Sequence, residues 1–276
     1  MKTKLLLSGA ILSLIFASNL PSFAQEKPWI IEATTLHWNM EKEDYSFKEW
    51  KELETEYHQK VTMKNEYIKG AEVLIHTYSP DNSELLVVRA YESMEDLEKS
   101  ADRDWELILE AWPDSTERRA KGDKVSSYYS NFHSDEIYSM LNYPKLYDKW
   151  NDSTAMVFYM KKTHSVPMAK VKDGSASERS AVFKEFIENI IHKNDDILAY
   201  YPMRHLYGSD SRDQVEFFVY ESLEKMVADD GSKGMELAKA HWPDEKKREA
   251  FVEKLNKYTS PWHGDWIYTN VPELHK

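Results

Sequence analysis

KNEYIKGAEVLIHTYSPDNSELLVVRAYESME, residues 64–95, is the stretch that decides the fold, because the chain contains it twice. At a constant offset of 129 residues, the stretch 193–224 reads KNDDILAYYPMRHLYGSDSRDQVEFFVYESLE, and ten of the 32 positions are identical. After one inserted residue, 112–138 matches 242–268 at 12 of 27 positions. Two blocks in the same order indicate an internal duplication. A period near 130 residues is too long for a solenoid and predicts two domain-sized halves.

Each half carries the same order of predicted elements. In the first half, the apolar periodicity and turn residues predict in turn a strand, a helix, two strands, two helices and a strand, at 33–40, 45–62, 71–78, 84–91, 93–111, 114–129 and 136–140. The second half predicts the same series at 155–161, 177–191, 198–207, 213–220, 223–239, 244–258 and 266–271. A Trp-Pro-Asp triplet interrupts the helical region of both halves, at 112–114 and 242–244, because proline lacks an amide donor.

This order of strands and helices is the ferredoxin-like plan, in which one face of the sheet is left open. Over about residues 33–271 it resembles the dimeric α/β-barrel superfamily in a fused, single-chain form. The resemblance implies an α+β fold: two tandem ferredoxin-like βαββαβ repeats whose antiparallel sheets pack face to face as an intramolecular α/β barrel. We place the repeats at 33–141 and 153–271, joined by a linker at 142–152, and we expect a monomer because one chain supplies both halves.

The superfamily includes cofactor-independent monooxygenases, haem-binding enzymes, isomerases and proteins of no known activity. The resemblance rests on the order of elements and not on a signature motif. It therefore implies a fold and leaves the reaction open.

Composition narrows the function further. The chain of 276 residues carries 36 basic and 48 acidic side chains, a net charge of −12, so we expect no nucleic-acid partner. With no cysteine there are no disulfides and no thiol chemistry. Only eight glycines are present, and no phosphate loop, dinucleotide fingerprint or His-Glu-x-x-His motif occurs. We expect a small-molecule ligand, and no resident metal or cofactor.

The first 24 residues have the pattern of a secretory signal. Lys2 and Lys4 precede an apolar run at 5–17, and the small residues Ser22 and Ala24 precede a cleavage point. The run is shorter than the roughly 20 residues that a membrane span needs. We therefore expect a secreted or periplasmic protein that is free of the membrane once the signal is removed.

Strand alternation suggests which side chains line the barrel. The apolar sets on 84–91 and 213–220 are assigned to the helices, which leaves a polar set inside. A hairpin register that pairs Ser79 with Glu84 adds the histidines to that set. The predicted lumen then holds His76, Arg89, Tyr91, Tyr138, His205, Glu216, Tyr220 and Tyr268.

These residues suggest acid–base chemistry on a carboxylate-bearing molecule. His205 opposite Glu216 would be the catalytic pair, with the carboxylate orienting the imidazole ring. Tyr220 or Tyr91 would be the acid, and Arg89 would anchor an anion. His76, Tyr138 and Tyr268 would contact the ligand. Such a site suits a lyase, an isomerase or a cofactor-free oxygenase.

Two alternatives remain open. A repeated histidine is often a scaffold hydrogen bond, so the protein could be a non-catalytic binding or carrier module. A histidine facing a cavity could also be the axial ligand of a haem, with His76 or His205 in that role.

Export predicts a defined mature terminus. Cleavage after Ala24 leaves Gln25 as the first residue, because the small side chains precede that bond. We expect amino-terminal sequencing of the protein secreted by its own host to begin near Gln25. Mature protein that retains residues 5–17 would show that this segment is not a cleaved signal.

Overall fold

The computed structural model describes residues 28–150, 153–229 and 231–276, so the predicted signal segment at 1–24 lies outside the described residues. The first half contains β1 Ile30–Trp38, α1 Phe47–Lys60, β2 Gly70–Tyr78, β3 Glu84–Tyr91, α2 Met94–Ala111, α3 Ser115–Ser126 and β4 Tyr129–Met140. The second half contains β5 Val157–Ser165, α4 Ala176–Phe186, β6 Ala199–Tyr207, β7 Asp213–Tyr220, α5 Leu223–Ala228, α6 Ser232–His241, α7 Glu245–Tyr258 and β8 Thr259–Asn270. In these ranges, no helix is both long and apolar enough to cross a bilayer.

The helix starts follow from side-chain caps that recur in both halves. Ser93 accepts a hydrogen bond from the amide of Asp96, and the equivalent Ser222 accepts one from Lys225. The aspartates of the two Trp-Pro-Asp triplets cap α3 and α7 in the same way. A side-chain oxygen at this position satisfies an amide that the helix leaves unpaired. The repeated Ser and Asp residues therefore set the same helix boundaries twice.

The second half departs from its predicted helices in two places. The predicted helix at 223–239 is divided into α5 and α6, and Gly231 between them has a φ of 85°, a left-handed conformation that glycine adopts without strain. The predicted helix at 177–191 ends as α4 at Phe186 and continues as a π-helical turn, Ile187–Ile191. Such turns widen the helix locally and occur often at functional sites.

The eight strands form one closed barrel in the order β1-β3-β2-β8-β5-β7-β6-β4, and neighbouring strands pair antiparallel. Each half contributes four adjacent strands in the ferredoxin-like order. Two seams join the halves: β2 pairs with β8, and β4 pairs with β6. The predicted α+β fold of two ferredoxin-like repeats forming an intramolecular barrel is confirmed, with the two sheets joined edge to edge into a single ring.

The interior of the barrel is mainly apolar, so the predicted polar lumen is wrong. One buried cluster draws side chains from all eight strands: Ile31, Ala33, Leu74, Leu86, Ala90, Tyr138, Phe158, Ala199, Met203, Val215, Phe217, Val219 and Tyr268. A cluster shared by all the strands of a closed barrel lies inside it. The apolar sets of β3 and β7 therefore face the lumen, and their polar neighbours face the helices.

The hairpin register explains which residues were misplaced. The predicted pairing of Ser79 with Glu84 is wrong, because Ile75 lies opposite Leu85. The second hairpin has the same three-residue difference, with Arg204 opposite Gln214. An odd register change exchanges the faces of one strand relative to the other. The residues predicted to point inward from β2 and β6 do so, whereas those from β3 and β7 point outward.

Replacing Leu86 with alanine tests the assignment of the barrel interior. Leu86 is 5% exposed within the central cluster. Removing its side chain leaves a cavity, so we expect Leu86→Ala to lower the free energy of unfolding by about 2–5 kcal/mol in urea titrations. The matched control is Leu146→Ala, which removes the same atoms from a residue 68% exposed and should cost under about 0.5 kcal/mol. Equal effects would contradict the packing described here.

Candidate functional site

The repeated histidines and tyrosines lie at the two seams of the barrel. His76 on β2 lies opposite Tyr268 on β8, and His205 on β6 lies opposite Tyr138 on β4. Each seam thus pairs a histidine of one half with a tyrosine of the other. Directly opposed residues on paired strands contact each other and stabilise the pairing. Their position explains why these four residues are identical in both halves, and it favours a scaffold role for them.

Their hydrogen bonds also belong to the barrel itself. The Tyr268 hydroxyl donates to Glu84 Oε1 at 3.0 Å, and His76 Nδ1 lies 2.8 Å from Ser79 Oγ in the hairpin turn. Burial, with the nearby charges of Glu136 and Asp213, raises the pKa of Tyr138. A ligand-binding role for His76, Tyr138 and Tyr268 stays a prediction.

The geometry of the two histidines does not fit an axial haem ligand. Such a ligand must present a ring nitrogen to a space wide enough for a porphyrin. His205 borders a cavity of the second half, but its Nε2 atom is fully enclosed and has no hydrogen-bond partner among the described residues, so this nitrogen is not presented to that space. His76 borders an open concavity formed by its own hairpin turn. The haem alternative therefore gains no support from either residue.

Arg89 and Tyr91 point from β3 toward the helices of the first half, so their predicted place in the lumen is wrong. Arg89 Nη1 lies 3.3 Å from the Oδ2 atom of Asp104 on α2. The Tyr91 hydroxyl donates to Glu32 Oε2 at 2.9 Å. Arg89 is therefore paired with a carboxylate of its own chain and does not offer its charge to a ligand in the barrel.

Tyr220 also faces the helices, and its repetition has a structural explanation. Its hydroxyl donates to Asp229 Oδ2 at 3.2 Å, and Asn194 Nδ2 donates to the same oxygen at 3.0 Å. The equivalent Asn65 donates to Asp104 in the first half. Each repeated asparagine thus connects a loop to an acidic residue of the covering helices, Asp104 within α2 and Asp229 directly after α5. Neither Tyr91 nor Tyr220 lines the cleft of its own half. An acid role for either tyrosine stays a prediction.

The predicted catalytic pair does not form, because His205 and Glu216 lie on opposite faces of the sheet. Glu216 lies opposite Pro202 and Lys161, on the side that faces the helices. Its partner is Tyr200, whose hydroxyl donates to Glu216 Oε1. His205 points into the barrel beside Tyr138. A carboxylate and a tyrosine are therefore the titratable pair that the fold brings together.

This pair lies on the floor of a cleft between α4 and the sheet of the second half, which we call the second-half cleft. Its volume is about 660 Å³, within the usual range for ligand sites. α4 forms one wall through Arg179 and Phe183, and the π-helical turn begins at its inner end. The strands supply the other wall, with Lys161, Tyr200, Arg204, Gln214 and Glu216 among the lining residues.

Two guanidinium groups in this cleft have no acidic partner. Arg179 and Arg204 make no ion pair with the described residues, although both line the same cavity. Burial and the neighbouring positive charge of Arg204 lower the pKa of Arg179. Two adjacent, unpaired cations in a chain of net charge −12 create a local site for an anion.

Burial also changes the pKa values of the two titratable side chains on the floor of the cleft, Glu216 and Tyr200. It raises the pKa of Glu216, an effect opposed by the Tyr200 hydrogen bond and by the charge of Lys161. Burial and the charge of Glu216 raise the pKa of Tyr200 well above its ordinary value. Glu216 thus keeps its proton to higher pH than an exposed glutamate does. A carboxyl in this state can donate a proton to a bound molecule at a higher pH than an exposed glutamate can.

The corresponding cleft of the first half is smaller, and its arginine is already paired with a carboxylate of the chain. It has a volume of about 330 Å³ between α1 and the sheet. Tyr129 donates to Glu54 Oε1 at 2.5 Å, and burial raises the pKa of Glu54. The one guanidinium in its lining, Arg89, already pairs with Asp104. Of the two clefts, the second-half cleft is therefore the one whose guanidinium groups have no acidic partner in the described part of the chain.

Three residues of this cleft were not predicted from the sequence: Arg179, Tyr200 and Arg204. Tyr200, Pro202 and Arg204 alternate with Tyr201 and Met203 along β6, so they share the outward face of that strand. That alternation could have placed Arg204 beside Glu216 once the face of β7 was known. No sequence signal places Arg179 near Arg204, because the two arginines meet only through the packing of α4 on the sheet.

One cluster in the described ranges has the composition of a metal site. His164, Asp210 and Asp213 hold ligand atoms within 4.8 Å of one another. Cations already occupy the carboxylates, however. Lys162 Nζ lies 2.6 Å from Asp213 Oδ2, and Arg212 Nη2 lies 2.6 Å from Asp210 Oδ2. We interpret the cluster as an ion-pair network at the end of the β6–β7 hairpin.

Comparison with known proteins identifies the fold and leaves the reaction open. No protein-family model matches the sequence, and no curated protein matches it. Among solved structures, a Fusobacterium nucleatum protein named as a monooxygenase superposes with a TM-score of 0.55 at 10% identity. The alignment covers 89% of this chain and 93% of that one.

Two further structures agree. A Lactobacillus acidophilus protein, also named as a monooxygenase, gives a TM-score of 0.53 at 9% identity and covers 89% and 95% of the two chains. A variant chlorite dismutase from Candidatus Nitrospira defluvii gives 0.50 at 11% identity and covers 91% and 95%. At such low identity these likenesses show the fold alone. The chain has the dimeric α/β-barrel fold, duplicated and fused in one polypeptide.

The raised pKa of Glu216 predicts how stability changes with pH. A carboxyl whose pKa is higher in the folded than in the unfolded chain holds an extra proton when folded. It therefore costs stability as pH rises above the ordinary value of 4.5 through the folded pKa. Glu216→Gln stays neutral, so we expect the free energy of unfolding of the variant, relative to the native chain, to rise between pH 4.5 and pH 8.

Urea unfolding at both pH values measures this difference. The matched control is Glu221→Gln, the same substitution at an exposed position directly after β7, and the change with pH should be larger for Glu216→Gln than for this control. If the Glu216 variant shows the same pH dependence as the native chain, Glu216 does not hold an extra proton in the folded state.

Proposed function

We propose that the protein binds a small, carboxylate-bearing organic molecule in the second-half cleft. The observation that carries this proposal is the pair of unpaired guanidinium groups, Arg179 and Arg204, in a cavity of about 660 Å³. A carboxylate would separate two cations that otherwise repel each other. Guanidinium groups suit it because they offer parallel donors to both carboxylate oxygens.

The remaining lining defines the rest of the ligand. Phe183, Phe186 and Ile187 give one side of the cleft an apolar surface, whereas Gln214 and Thr163 offer hydrogen bonds. A ligand that fits has a flat or compact apolar body with one acidic group. An aromatic or alicyclic acid has that chemistry.

Glu216 and Tyr200 supply the acid–base capacity of the site. The predicted chemistry relied on His205, which lies on the other face of the sheet, and the Tyr200–Glu216 hydrogen bond takes its place. With its proton, Glu216 can donate to a ligand oxygen; without it, Glu216 can accept a proton from a carbon beside a carbonyl. Isomerisation and elimination both begin with such a transfer. Two of the structural neighbours are named as monooxygenases, which is compatible with chemistry on an organic substrate in this fold.

We also propose where the protein acts and in which oligomeric state. The signal pattern at 1–24 supports action outside the cytoplasm, as a secreted or periplasmic protein. A monomer is sufficient, because β2 and β4 find their edge partners within the same chain. The carrier alternative differs from an enzyme only in whether Glu216 transfers a proton.

Binding of 2-naphthylacetate provides the test. We expect isothermal titration calorimetry to show one site per chain, with affinity that falls as salt concentration rises. Arg179→Gln and Arg204→Gln should each weaken binding about tenfold or more, because each removes a charge-assisted hydrogen bond worth about 1.5–3 kcal/mol. The neutral analogue 2-ethylnaphthalene should not bind in this cleft.

The matched control is Arg119→Gln, which removes an arginine 85% exposed on α3 and should leave the dissociation constant unchanged. Native affinity in both cleft variants would contradict the proposed site. Equal weakening by all three substitutions would show that net charge alone attracts the acid, and this outcome would also overturn the site.

A further inference from the structure

A second cavity opens at the end of the barrel where β1 and β5 begin, and we call it the lumen pocket. It has a volume of about 310 Å³ and lies on the opposite face of the sheet from the second-half cleft. Its inner wall is made of apolar side chains from seven strands, among them Ile31, Leu74, Val88, Ala90, Phe158 and Phe217. The central cluster fills the barrel beyond it, so the pocket is closed at its inner end.

Segments outside the strands cover the mouth of the pocket. Tyr147 and Trp150 come from the connection between the two halves, and His275 follows the last strand. The Trp150 ring stacks on the His275 ring, with centroids 4.5 Å apart and planes at 24°. Tyr147 packs edge-on against Trp150 at 5.3 Å. The mouth thus has a built aromatic rim.

One wall of the lumen pocket is polar. His275 Nδ1 lies 2.5 Å from Glu72 Oε1, and Asn270 Nδ2 donates to Glu72 Oε2 at 3.3 Å. These contacts occupy both carboxylate oxygens and one ring nitrogen. Asn270 is held in turn, because its Oδ1 accepts from the amide of Met156 at 2.8 Å. The polar wall is therefore fixed before any ligand enters.

The hydroxyl of Tyr201 on this wall is unused. It makes no hydrogen bond with the residues that the structure describes, although it lines the pocket beside Glu72. Burial, and then the negative charge of Glu72, raise the pKa of Tyr201, so the phenol keeps its proton. A protonated phenol at the edge of an apolar cavity offers a donor to a ligand oxygen. A polar group of this kind fixes the orientation of a molecule that the apolar walls hold.

We propose that the lumen pocket binds an uncharged, aromatic-sized molecule whose single oxygen contacts Tyr201. The apolar walls exclude a charged body, since transfer of an ion into such a cavity is costly. Glu72 adds a negative charge that disfavours anions. The cations at the mouth are already engaged: Lys276 Nζ donates to the carbonyls of Thr62 and Asn65, and Lys69 pairs with Glu92.

The two sites should therefore select different molecules. The second-half cleft takes an acid through its free cations, whereas the lumen pocket takes a neutral molecule through its apolar walls. The sheet lies between most of the two linings: Tyr201 of β6 lines the lumen pocket and Arg204 lines the cleft, while Met203 borders both cavities. We therefore expect each site to bind its own molecule whether or not the other is occupied.

Fluorescence of N-phenyl-1-naphthylamine tests the lumen pocket, because this neutral probe becomes bright in apolar surroundings. We expect saturable binding of one probe per chain, and displacement by 1-naphthol. Ala90→Phe fills the pocket from β3 and should weaken probe binding at least about tenfold. Trp150→Ala removes part of the rim and should weaken it about fivefold. The matched control is Trp105→Ala, at a position 56% exposed on α2, which should have no effect.

Tyr201→Phe tests whether the tyrosine hydroxyl orients the ligand, or whether the apolar walls alone bind it. Loss of one neutral hydrogen bond, worth about 0.5–1.5 kcal/mol, should weaken 1-naphthol about two- to tenfold and leave naphthalene unchanged. If Ala90→Phe does not fold, as judged by circular dichroism, the Trp150 and Tyr201 variants still decide the matter. Native affinity in both would overturn the proposal.

Competition distinguishes this site from the second-half cleft. 2-Naphthylacetate should not displace N-phenyl-1-naphthylamine, and saturation with the probe should not change the affinity for the acid. Mutual displacement would show one shared site and overturn the lumen pocket. Failure of the acid to bind at all would overturn the second-half cleft and leave the probe result unaffected.

Discussion

The structure depends on the burial of two apolar sheet faces against each other. Each half of the chain forms a four-stranded sheet, and its helices cover only one face. The other face presents Ile31, Leu86 and Ala90 in the first half and Val215, Phe217 and Val219 in the second. Burial of such side chains is the main favourable term in folding. Closing the ring buries both faces and also pairs the four edge strands, which would otherwise remain open to other chains.

Some of the residues that are identical in the two halves lie where the halves meet. The histidine–tyrosine pairs His76–Tyr268 and His205–Tyr138 occupy the two seams. Asn65 and Asn194 connect equivalent loops to the covering helices. Positions away from the seams and caps are free to differ. Val87 and Glu216, which are equivalent at the offset of 129, show how far they do so.

The internal repeat and the alternation of apolar residues along the strands made the fold predictable. They did not determine which face of each sheet lies inside the barrel. The offset between 64–95 and 193–224 gave the order of strands, and Glu84–Tyr91 and Asp213–Tyr220 have their predicted bounds. Period-two alternation on β3 and β7 separated two faces correctly, but it did not say which face was inside. The inward assignment of Glu216 assumed a wet lumen. An apolar lumen has the lower free energy because buried charge is costly without a partner.

The candidate site was harder to predict because it is made by tertiary packing. Glu216 was identified as a titratable residue of interest, but its partner was misassigned, since the hairpin register is shifted by three residues. Arg179 is 25 residues before Arg204 in the chain, on a helix whose rotation about its axis no local pattern determines. Hydrophobic periodicity predicts the buried face of a helix, whereas an arginine at its edge can point to solvent or into a cleft.

Divergence of the two halves gives the molecule its asymmetry. In the first half, the Arg89 guanidinium on the sheet pairs with the Asp104 carboxylate on α2. The arginine of that cleft is therefore not available to an anionic ligand. In the second half, Phe218 stands at the position of that arginine, and a carboxyl, Glu216, lies two residues earlier on the same strand. The cations now come from α4 and β6 and lack carboxylate partners. A duplicated barrel needs both sheets to close its ring, whereas the charges in its two clefts can differ without opening that ring.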